Sequence, residues 1–265
     1  MTGVDLASPI SDRDWAAIRA AWIDGGVLLM RDQRLTEEEH LAFARRFGRV
    51  KRYNTAGNEH ARHPEILVFS NLVDGRCSGA PMSGQYWHTD GHFLPEPPSA
   101  SILYALEVPP AGGDTWFANM IKAYDALSAE AKRSIAGRRA IISRSRANIH
   151  TSPDRGPLSD EERAAWPDVT HPMARTHPIS GRKALYVGAG VPWAIEGMSE
   201  EDGASLMGTL QEFAIRPEFT WRHVWRVGDV LVWDNRSVIH KATSYDAVAY
   251  PRHLHRVTIE GEVPR

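Results

Sequence analysis

The hydrophobic positions near the start of the chain recur at the spacing of a helix. Trp15, Ile18 and Trp22 are three and four residues apart, which places them on one helical face. Ser11 precedes them as a good N-cap, and a Gly-Gly pair follows them. We therefore predict an amphipathic helix over residues 11–25.

Beyond this helix the pattern is mainly that of strands. A short apolar run over 26–32 has the length of a strand, and the capping box of Thr36 and Glu39 then begins a helix that ends near Gly48. Two later segments look helical, 124–136 and 199–214. The remaining apolar runs are typical of strands and cover residues 66–71, 101–106, 184–187, 219–225, 229–233 and 256–259.

Strands this numerous, not regularly alternating with helices, favour an antiparallel sandwich or barrel over a doubly wound parallel sheet. We predict a mixed α+β fold, mainly β, with a double-stranded β-helix (jelly roll) core flanked by helices. A single domain is expected over residues 1–265. Residues 143–172 are polar and rich in charges and prolines, which predicts a long loop or lid over the site. The alternative for this segment is a plain surface excursion.

Composition and net charge indicate which classes of binding partner the chain can have. The 265 residues are 42% hydrophobic and 24% charged, which suits one globular domain. A net charge of −2 argues against nucleic acid or an anionic membrane as a partner. No stretch approaches the roughly 18 apolar residues of a membrane span, and no signal peptide is evident. Because Cys77 is the single cysteine, an internal disulfide cannot form, and we expect a soluble, unprocessed, cytoplasmic protein.

A candidate metal site begins at His88. His88 and Asp90 are two residues apart, so on a strand both point to the same side and can bind one ion. A facial triad for Fe(II) needs a second imidazole and leaves the opposite face open. Among twelve histidines, His240 follows an apolar strand and turn over 229–239, a placement suited to delivering a ligand. A different ligand set, in which His92 replaces or joins His88, stays open.

Several short motifs follow one another at a spacing that matches one enzyme family. In chain order they are Trp87-His88-Thr89-Asp90 to Phe93, Pro97-Pro98, Gly112-Gly113-Asp114-Thr115, Trp233-Asp234-Asn235-Arg236 to His240, and Arg252 to Arg256. This order resembles the taurine dioxygenase / 2,4-dichlorophenoxyacetate dioxygenase family (TauD/TfdA), and the resemblance covers essentially the whole chain. It implies a dioxygenase that uses Fe(II), O2 and 2-oxoglutarate, with 2-oxoglutarate decarboxylated to succinate and CO2.

The resemblance also implies roles for the matching residues. The iron ligands correspond to His88, Asp90 and His240. Thr115 matches the threonine that hydrogen-bonds 2-oxoglutarate, and Arg252 matches the arginine that binds its distal carboxylate.

Arg256 matches a second arginine of the family, beside the keto-acid end and the substrate anion. Guanidinium groups bind carboxylates through two parallel hydrogen bonds, which suits a dianion such as 2-oxoglutarate. From the sequence alone, Arg252 and Arg256 could equally be solvated surface charges.

The substrate implied by the resemblance is a small organic acid, namely a carboxylate, sulfonate, sulfate ester or aryloxyalkanoate. Its candidate contacts are Arg256, Tyr86 and Phe93. No motif selects a further partner for its anion among Tyr53, His60, His63, Arg144, Arg146 and Arg175. The candidates for an apolar wall of the pocket, each of which could instead be plain core, are Trp87, Phe93, Trp116 and Trp193.

Two departures from the family pattern bear on the reaction. The asparagine that the taurine enzyme carries before its first iron ligand is not matched at 84–86, which argues against taurine. Asp90 stands where related halogenases have a small residue, so hydroxylation is expected. A hydroxylated carbon that bears sulfonate, sulfate or an aryl ether oxygen would then undergo bond cleavage.

Two other classes of function remain as alternatives. A non-catalytic metal-binding cupin or jelly-roll sensor would not need Thr115 and Arg252. A zinc hydrolase would need a general base, and the chain has no HExxH motif. We further expect a homodimer or homotetramer, as is common in the family. Because relatives usually carry an earlier strand, this chain is expected to lack one edge strand.

Overall fold

Side-chain caps set the starts of the helices in this computed structural model, which describes residues 3–53, 57–79, 84–144, 158–187 and 192–265. Before each helix, a Ser, Thr or Asn side chain accepts a backbone N–H of the first turn. The helices are α1 (Asp12–Gly25), α2 (Glu37–Arg45), α3 (Met120–Ala126), α4 (Ala129–Ile135), α5 (Asp160–Ala165) and α6 (Glu200–Ala214). A 3-10 turn covers Pro217–Phe219.

The strands pair antiparallel throughout the described residues. They are β1 (Val27–Met30), β2 (Ile66–Ser70), β3 (Leu72–Val73), β4 (Arg76–Cys77), β5 (Ala100–Glu107), β6 (Thr115–Asn119), β7 (Arg139–Ile142), β8 (Val169–Pro172), β9 (Ala174–Thr176), β10 (Lys183–Leu185), β11 (Pro192–Ile195), β12 (Thr220–His223), β13 (Val230–Asp234), β14 (Val238–Ala242) and β15 (His253–Ile259). A five-stranded sheet has the order β1-β13-β5-β15-β2, and a three-stranded sheet has the order β12-β6-β14. Smaller sheets are formed by β11-β7-β8, β10-β9 and β3-β4.

The five-stranded and the β12-β6-β14 sheets share an apolar core. Leu103, Leu231 and Leu254 of the larger sheet belong to the same buried cluster as Phe117 and Val238 of the smaller one. Two antiparallel sheets that pack face to face in this way form a jelly-roll core. The predicted fold class, mainly β with flanking helices, is confirmed.

Helices cover the outer face of the larger sheet. Ile18 and Trp22 of α1 and Phe43 of α2 pack in one cluster with Ile102 of β5 and Val232 of β13. Because β13 is covered on one side by these helices and on the other by the smaller sheet, all five of its residues are buried. This explains why its first four residues, VLVW, are all apolar rather than alternating with polar ones.

The structure differs from the sequence prediction in several elements. The predicted helix over 124–136 is two helices, because Leu127 is extended and Ser128 caps a new start. Besides β8, the strands that were not predicted are β3, β4, β6, β7, β9, β11 and β14. The predicted loop over 143–172 contains α5 and β8 in its described part, and β8 pairs with β7.

Candidate active site

A pair of backbone hydrogen bonds brings two candidate metal ligands together. The N–H of His88 donates to the carbonyl oxygen of His240 at 2.9 Å, and the N–H of His240 donates to that of His88 at 2.7 Å. The two residues therefore form an antiparallel bridge although they are far apart in sequence. Their imidazole rings lie 4.3 Å apart between centroids. Asp90, two residues after His88, completes the group.

The side chains of His88, Asp90 and His240 converge on one point. One ligand atom from each lies within 4.8 Å of the others, and no other such group of three occurs among the described residues. Oδ1 of Asp90 is 4.0 Å from Nε2 of each histidine. Two imidazoles and one carboxylate are the donor set of a facial Fe(II) triad. The residues present therefore fit the metal.

The protonation states of the three groups suit metal binding. His88 Nδ1 lies 2.8 Å from the carbonyl oxygen of Tyr86, so this nitrogen donates and Nε2 carries the free lone pair. Burial lowers the pKa of His88, and burial together with His88 lowers the pKa of His240 to about 3. Burial alone would raise the pKa of Asp90, but Arg256 and the two histidines hold it below its usual value. Neutral imidazoles and an ionised carboxylate are the forms that bind a cation.

A chain of hydrogen bonds holds the Asp90 carboxylate in place. The Ser101 hydroxyl donates to Asp90 Oδ2 at 2.6 Å, and Asn235 Nδ2 donates to the Ser101 oxygen at 3.1 Å. Trp233 Nε1 in turn donates to Asn235 Oδ1 at 2.9 Å. Asn235 and Trp233 lie in a motif that the sequence marked, whereas Ser101 was missed. The one signal for it was a polar residue at the start of an apolar strand.

We expect Ser101→Ala to weaken Fe(II) binding or activity by about 10–100-fold, because partners that orient a metal ligand commonly have effects of this size. The measurement is Fe(II) or Mn(II) titration together with the turnover rate. Ser99→Ala is the matched control, since the buried Ser99 hydroxyl donates to the carbonyl oxygen of Glu260. Equal metal affinity in Ser101→Ala and the native chain would contradict this role.

Arg252 is a buried cation that faces a small cavity. Its Nε has no hydrogen-bond partner in the described part of the chain, and Nη2 reaches the carbonyl oxygen of Gly113 at 3.4 Å. Burial lowers the pKa of Arg252 to about 10, so the group is still charged at neutral pH. The cavity is also lined by Thr115, His88 and His240. An anion bound there would satisfy the guanidinium.

The paired glycines before Thr115 allow this close packing. Gly112 and Gly113 have φ values of +76° and +68°, in the left-handed region that favours glycine. A Cβ on Gly113 would lie 3.3 Å from Arg252 Nε. Thr115 itself accepts a hydrogen bond from Trp225 Nε1 at 3.0 Å, so its own hydroxyl proton is free to donate elsewhere. No sequence motif marks Trp225 for this role.

A second, larger cavity of about 350 Å³ has the metal ligands His88 and Asp90 in its lining. Arg256 lines both cavities. Its Nη1 donates to Asp90 Oδ1 at 3.1 Å, and its guanidinium packs 4.5 Å from the centre of the Phe69 ring. The candidate substrate residues Tyr86 and Phe93 both line this larger cavity.

The remaining candidates for the substrate anion and for the apolar wall of the pocket lie in different parts of the structure. Tyr53 and Arg144 line the larger cavity. Arg175 is buried and pairs with Glu262, and His60 and His63 lie near Glu37 and Glu38. Arg146 and the side chain of Trp193 lie outside the described residues. Trp87 and Phe93 pack against a buried apolar cluster, and Trp116 is half-buried on β6.

His92 lies apart from the three converging ligands. Its ring is buried and stacks on that of His171 at 5.5 Å. His171 Nε2 lies 3.0 Å from the carbonyl oxygens of both His92 and Leu94 and so holds the turn after Asp90. His92 therefore packs against the core, and this placement argues against a metal site in which His92 replaces or joins His88.

Comparison with known proteins agrees with the geometry. The family described as "Taurine catabolism dioxygenase TauD, TfdA family" matches residues 1–258. The chain belongs to this family. It is 37% identical over 248 residues to the alpha-ketoglutarate-dependent 2,4-dichlorophenoxyacetate dioxygenase of Burkholderia sp. (strain RASC), covering 89% of this chain and 82% of that protein.

Two further TauD/TfdA relatives extend the comparison. The alpha-ketoglutarate-dependent sulfate ester dioxygenase of Pseudomonas putida is 34% identical over 99% of this chain and 86% of its own length. The crystal structure of AAD-2 in complex with Mn(II) and N-oxalylglycine is 32% identical, with a TM-score of 0.85 over 100% of this chain and 95% of that chain.

The resemblance inferred from the motifs is therefore confirmed. The protein is a 2-oxoglutarate-dependent dioxygenase that uses Fe(II) and O2. Membership of this enzyme class excludes the two alternative functions, a non-catalytic metal-binding sensor and a zinc hydrolase. In the described part of the chain, no helix is long and apolar enough to cross a bilayer.

Proposed function

We propose that this TauD/TfdA dioxygenase hydroxylates a small organic anion, with Fe(II) held by His88, Asp90 and His240. The observation that carries the proposal is the convergence of these three side chains at the boundary of two cavities. One cavity contains the buried cation Arg252 and suits 2-oxoglutarate. The other is larger, has aromatic walls, and suits the substrate.

When bound, the iron with 2-oxoglutarate and O2 supplies the oxidising power, and 2-oxoglutarate is converted to succinate and CO2. The chain's own residues bind and orient the reactants. The Arg252 guanidinium would bind the distal carboxylate of 2-oxoglutarate, and the Thr115 hydroxyl, which lines the same cavity, would donate a hydrogen bond to 2-oxoglutarate. Ser101 keeps the Asp90 carboxylate in one orientation.

The larger cavity combines aromatic surface with positive charge. Tyr53, Tyr86 and Phe93 line it together with the cations Lys51 and Arg256. Burial lowers the pKa of Lys51 and the neighbouring Arg256 adds to this effect, while Glu260 opposes it. Two like charges in one half-buried wall are stabilised by a bound anion. We therefore propose a substrate that carries a carboxylate, sulfonate or sulfate group beside an apolar or aromatic part.

The named relatives support this class of substrate, since one acts on 2,4-dichlorophenoxyacetate and another on sulfate esters. In such molecules, hydroxylation of the carbon next to the ether or sulfate oxygen yields an unstable product. Net cleavage would follow the hydroxylation without a further enzymatic step.

We expect Lys51→Gln to raise the KM for the anionic substrate by about tenfold or more, because a hydrogen bond to a charged group contributes roughly 1.5–3 kcal/mol. The KM for 2-oxoglutarate should stay the same, because Lys51 lines the larger cavity but not the smaller one that contains Arg252. Lys183→Gln is the control, because this exposed lysine on β10 lies outside both cavities. An unchanged KM for the substrate in Lys51→Gln would show that Lys51 does not bind the substrate anion.

A substrate panel tests the proposed function directly. Succinate release would be measured with sulfonates, sulfate esters, aryloxyalkanoates and amino acids, alongside neutral analogues of the same shape. We expect turnover with one of the anionic classes and at least about tenfold lower kcat/KM for its neutral analogue. Turnover confined to a neutral hydrophobic compound would refute the proposal.

We also propose a cytoplasmic homodimer or homotetramer. The single cysteine, Cys77, which cannot form an internal disulfide, agrees with a reducing compartment. Light scattering coupled to size-exclusion chromatography measures the assembly, and a monomer at micromolar concentration would contradict it.

A further inference from the structure

Histidines gather on the outer face of β15, the strand that carries Arg256 and directly follows Arg252. Along β15, successive side chains point to opposite faces of the sheet. Arg256 faces the cavities, whereas His253 and His255 point the other way, towards α2. This face is separated from the iron-binding triad by the thickness of the sheet.

The rings of His253 and His255 meet through their Nε2 atoms, which lie 3.2 Å apart. Two imidazole nitrogens this close must share one proton, because a lone pair on both would repel. When the donor ring carries its proton on Nδ1 instead of Nε2, both Nε2 lone pairs are available to bind one cation. With bonds of about 2.0–2.1 Å, nitrogens at this separation subtend roughly 100° at a metal, which suits tetrahedral or octahedral coordination.

The residues around His253 and His255 favour the binding of a cation by this pair. The His60 ring lies 5.3 Å from that of His255, and its Nε2 is 3.7 Å from Glu37 Oε1. Burial lowers the pKa of His253 and lowers that of His255 to about 4, so both rings are neutral at pH 7. Neutral imidazole is the form that binds metals, and a nearby carboxylate adds negative charge.

We propose that His253 and His255 form a second metal site, a two-nitrogen chelate for a late first-row divalent cation such as Zn(II) or Cu(II). Imidazole is a preferred ligand of these ions, and their affinities for a given nitrogen site exceed that of Fe(II). Among the described residues, no third His, Cys, Asp or Glu side chain joins the pair within 4.8 Å. Water would therefore complete the coordination, and the site would be weaker than the triad.

Metal counting with matched variants tests the proposal. Zn(II) would be titrated calorimetrically into the full chain, with any affinity tag removed. We expect the native chain to bind two equivalents and His253→Gln to bind one, because the half-exposed His253 can be replaced without disturbing the core. The double variant His88→Ala/Asp90→Ala, which loses two of three triad ligands, should also bind one. His63→Gln, a histidine nearby but outside the pair, should keep two.

Cu(II) electron paramagnetic resonance supplies an independent readout. In His88→Ala/Asp90→Ala, bound Cu(II) should show hyperfine coupling to two nitrogens, and the further change His253→Gln should remove this signal. The proposal would be overturned if His253→Gln bound as much Zn(II) as the native chain. It would equally be overturned if the double variant bound none while retaining its native circular dichroism.

Discussion

Replacing Asp90 with alanine is expected to abolish turnover, with a loss of at least about a thousandfold. The reason is that Asp90 supplies the one carboxylate among the three converging ligands, and even partners that merely orient a metal ligand are worth about 10–100-fold. The loss should appear both in succinate formation and in the amount of Fe(II) or Mn(II) bound. His88→Ala is expected to behave in the same way.

Two controls separate a lost ligand from a damaged fold. His92→Phe changes a buried histidine close to Asp90 that lies outside the ligand group, and it should keep metal binding. Asp90→Ala should keep the circular dichroism of the native chain, although loss of the ion pair with Arg256 is expected to lower its unfolding temperature. A native rate in Asp90→Ala or His88→Ala would refute the ligand assignment, and loss of metal in His92→Phe would favour the set that includes His92.

Replacing Arg252 with alanine is expected to raise the KM for 2-oxoglutarate by well over an order of magnitude. Arg252 is 6% exposed, and its Nε has no partner in the described part of the chain. Truncating one side of a buried, hydrogen-bonded charge pair commonly changes the binding free energy by about 2–5 kcal/mol. The KM for the primary substrate should change far less.

Arg252→Lys refines this experiment because it keeps the charge but removes the planar fork. Since lysine cannot form two parallel hydrogen bonds with a carboxylate, we expect a KM between those of the native chain and Arg252→Ala. Arg182→Ala is the control, as this arginine pairs with Asp125 away from both cavities. If Arg252→Ala kept the native KM for 2-oxoglutarate, Arg252 would not be the residue that binds the distal carboxylate.

Local patterns in the sequence were enough to predict much of the fold. α1 and α6 have clear caps and helical periodicity, and both lie within a residue of their predicted bounds. β6 and β14 escaped prediction because neither shows a clear alternation, and both depend on their mutual pairing. The break between α3 and α4 rests on the backbone of Leu127 and the cap of Ser128, which periodicity does not show.

The candidate site was predictable where its residues lie in motifs and unpredictable where only the tertiary fold joins them. His88 and Asp90 share a short motif, but the bridge between His88 and His240 exists only in the folded sheet. Ser101 and Trp225 reach Asp90 and Thr115 from other strands or loops. No local pattern marks such partners, because their contacts are formed across long distances in the sequence.

We propose that His88, Asp90 and His240 hold Fe(II) beside bound 2-oxoglutarate. Anaerobic ultraviolet–visible spectroscopy of the protein tests it most directly, because the metal-to-ligand charge-transfer band of an iron-chelated keto acid requires both components at one site. We expect a visible band when Fe(II) and 2-oxoglutarate are both present, and none when either is omitted or when Asp90 is replaced by alanine. A native chain that binds both compounds without this band, or an Asp90→Ala variant that keeps it, would contradict the account.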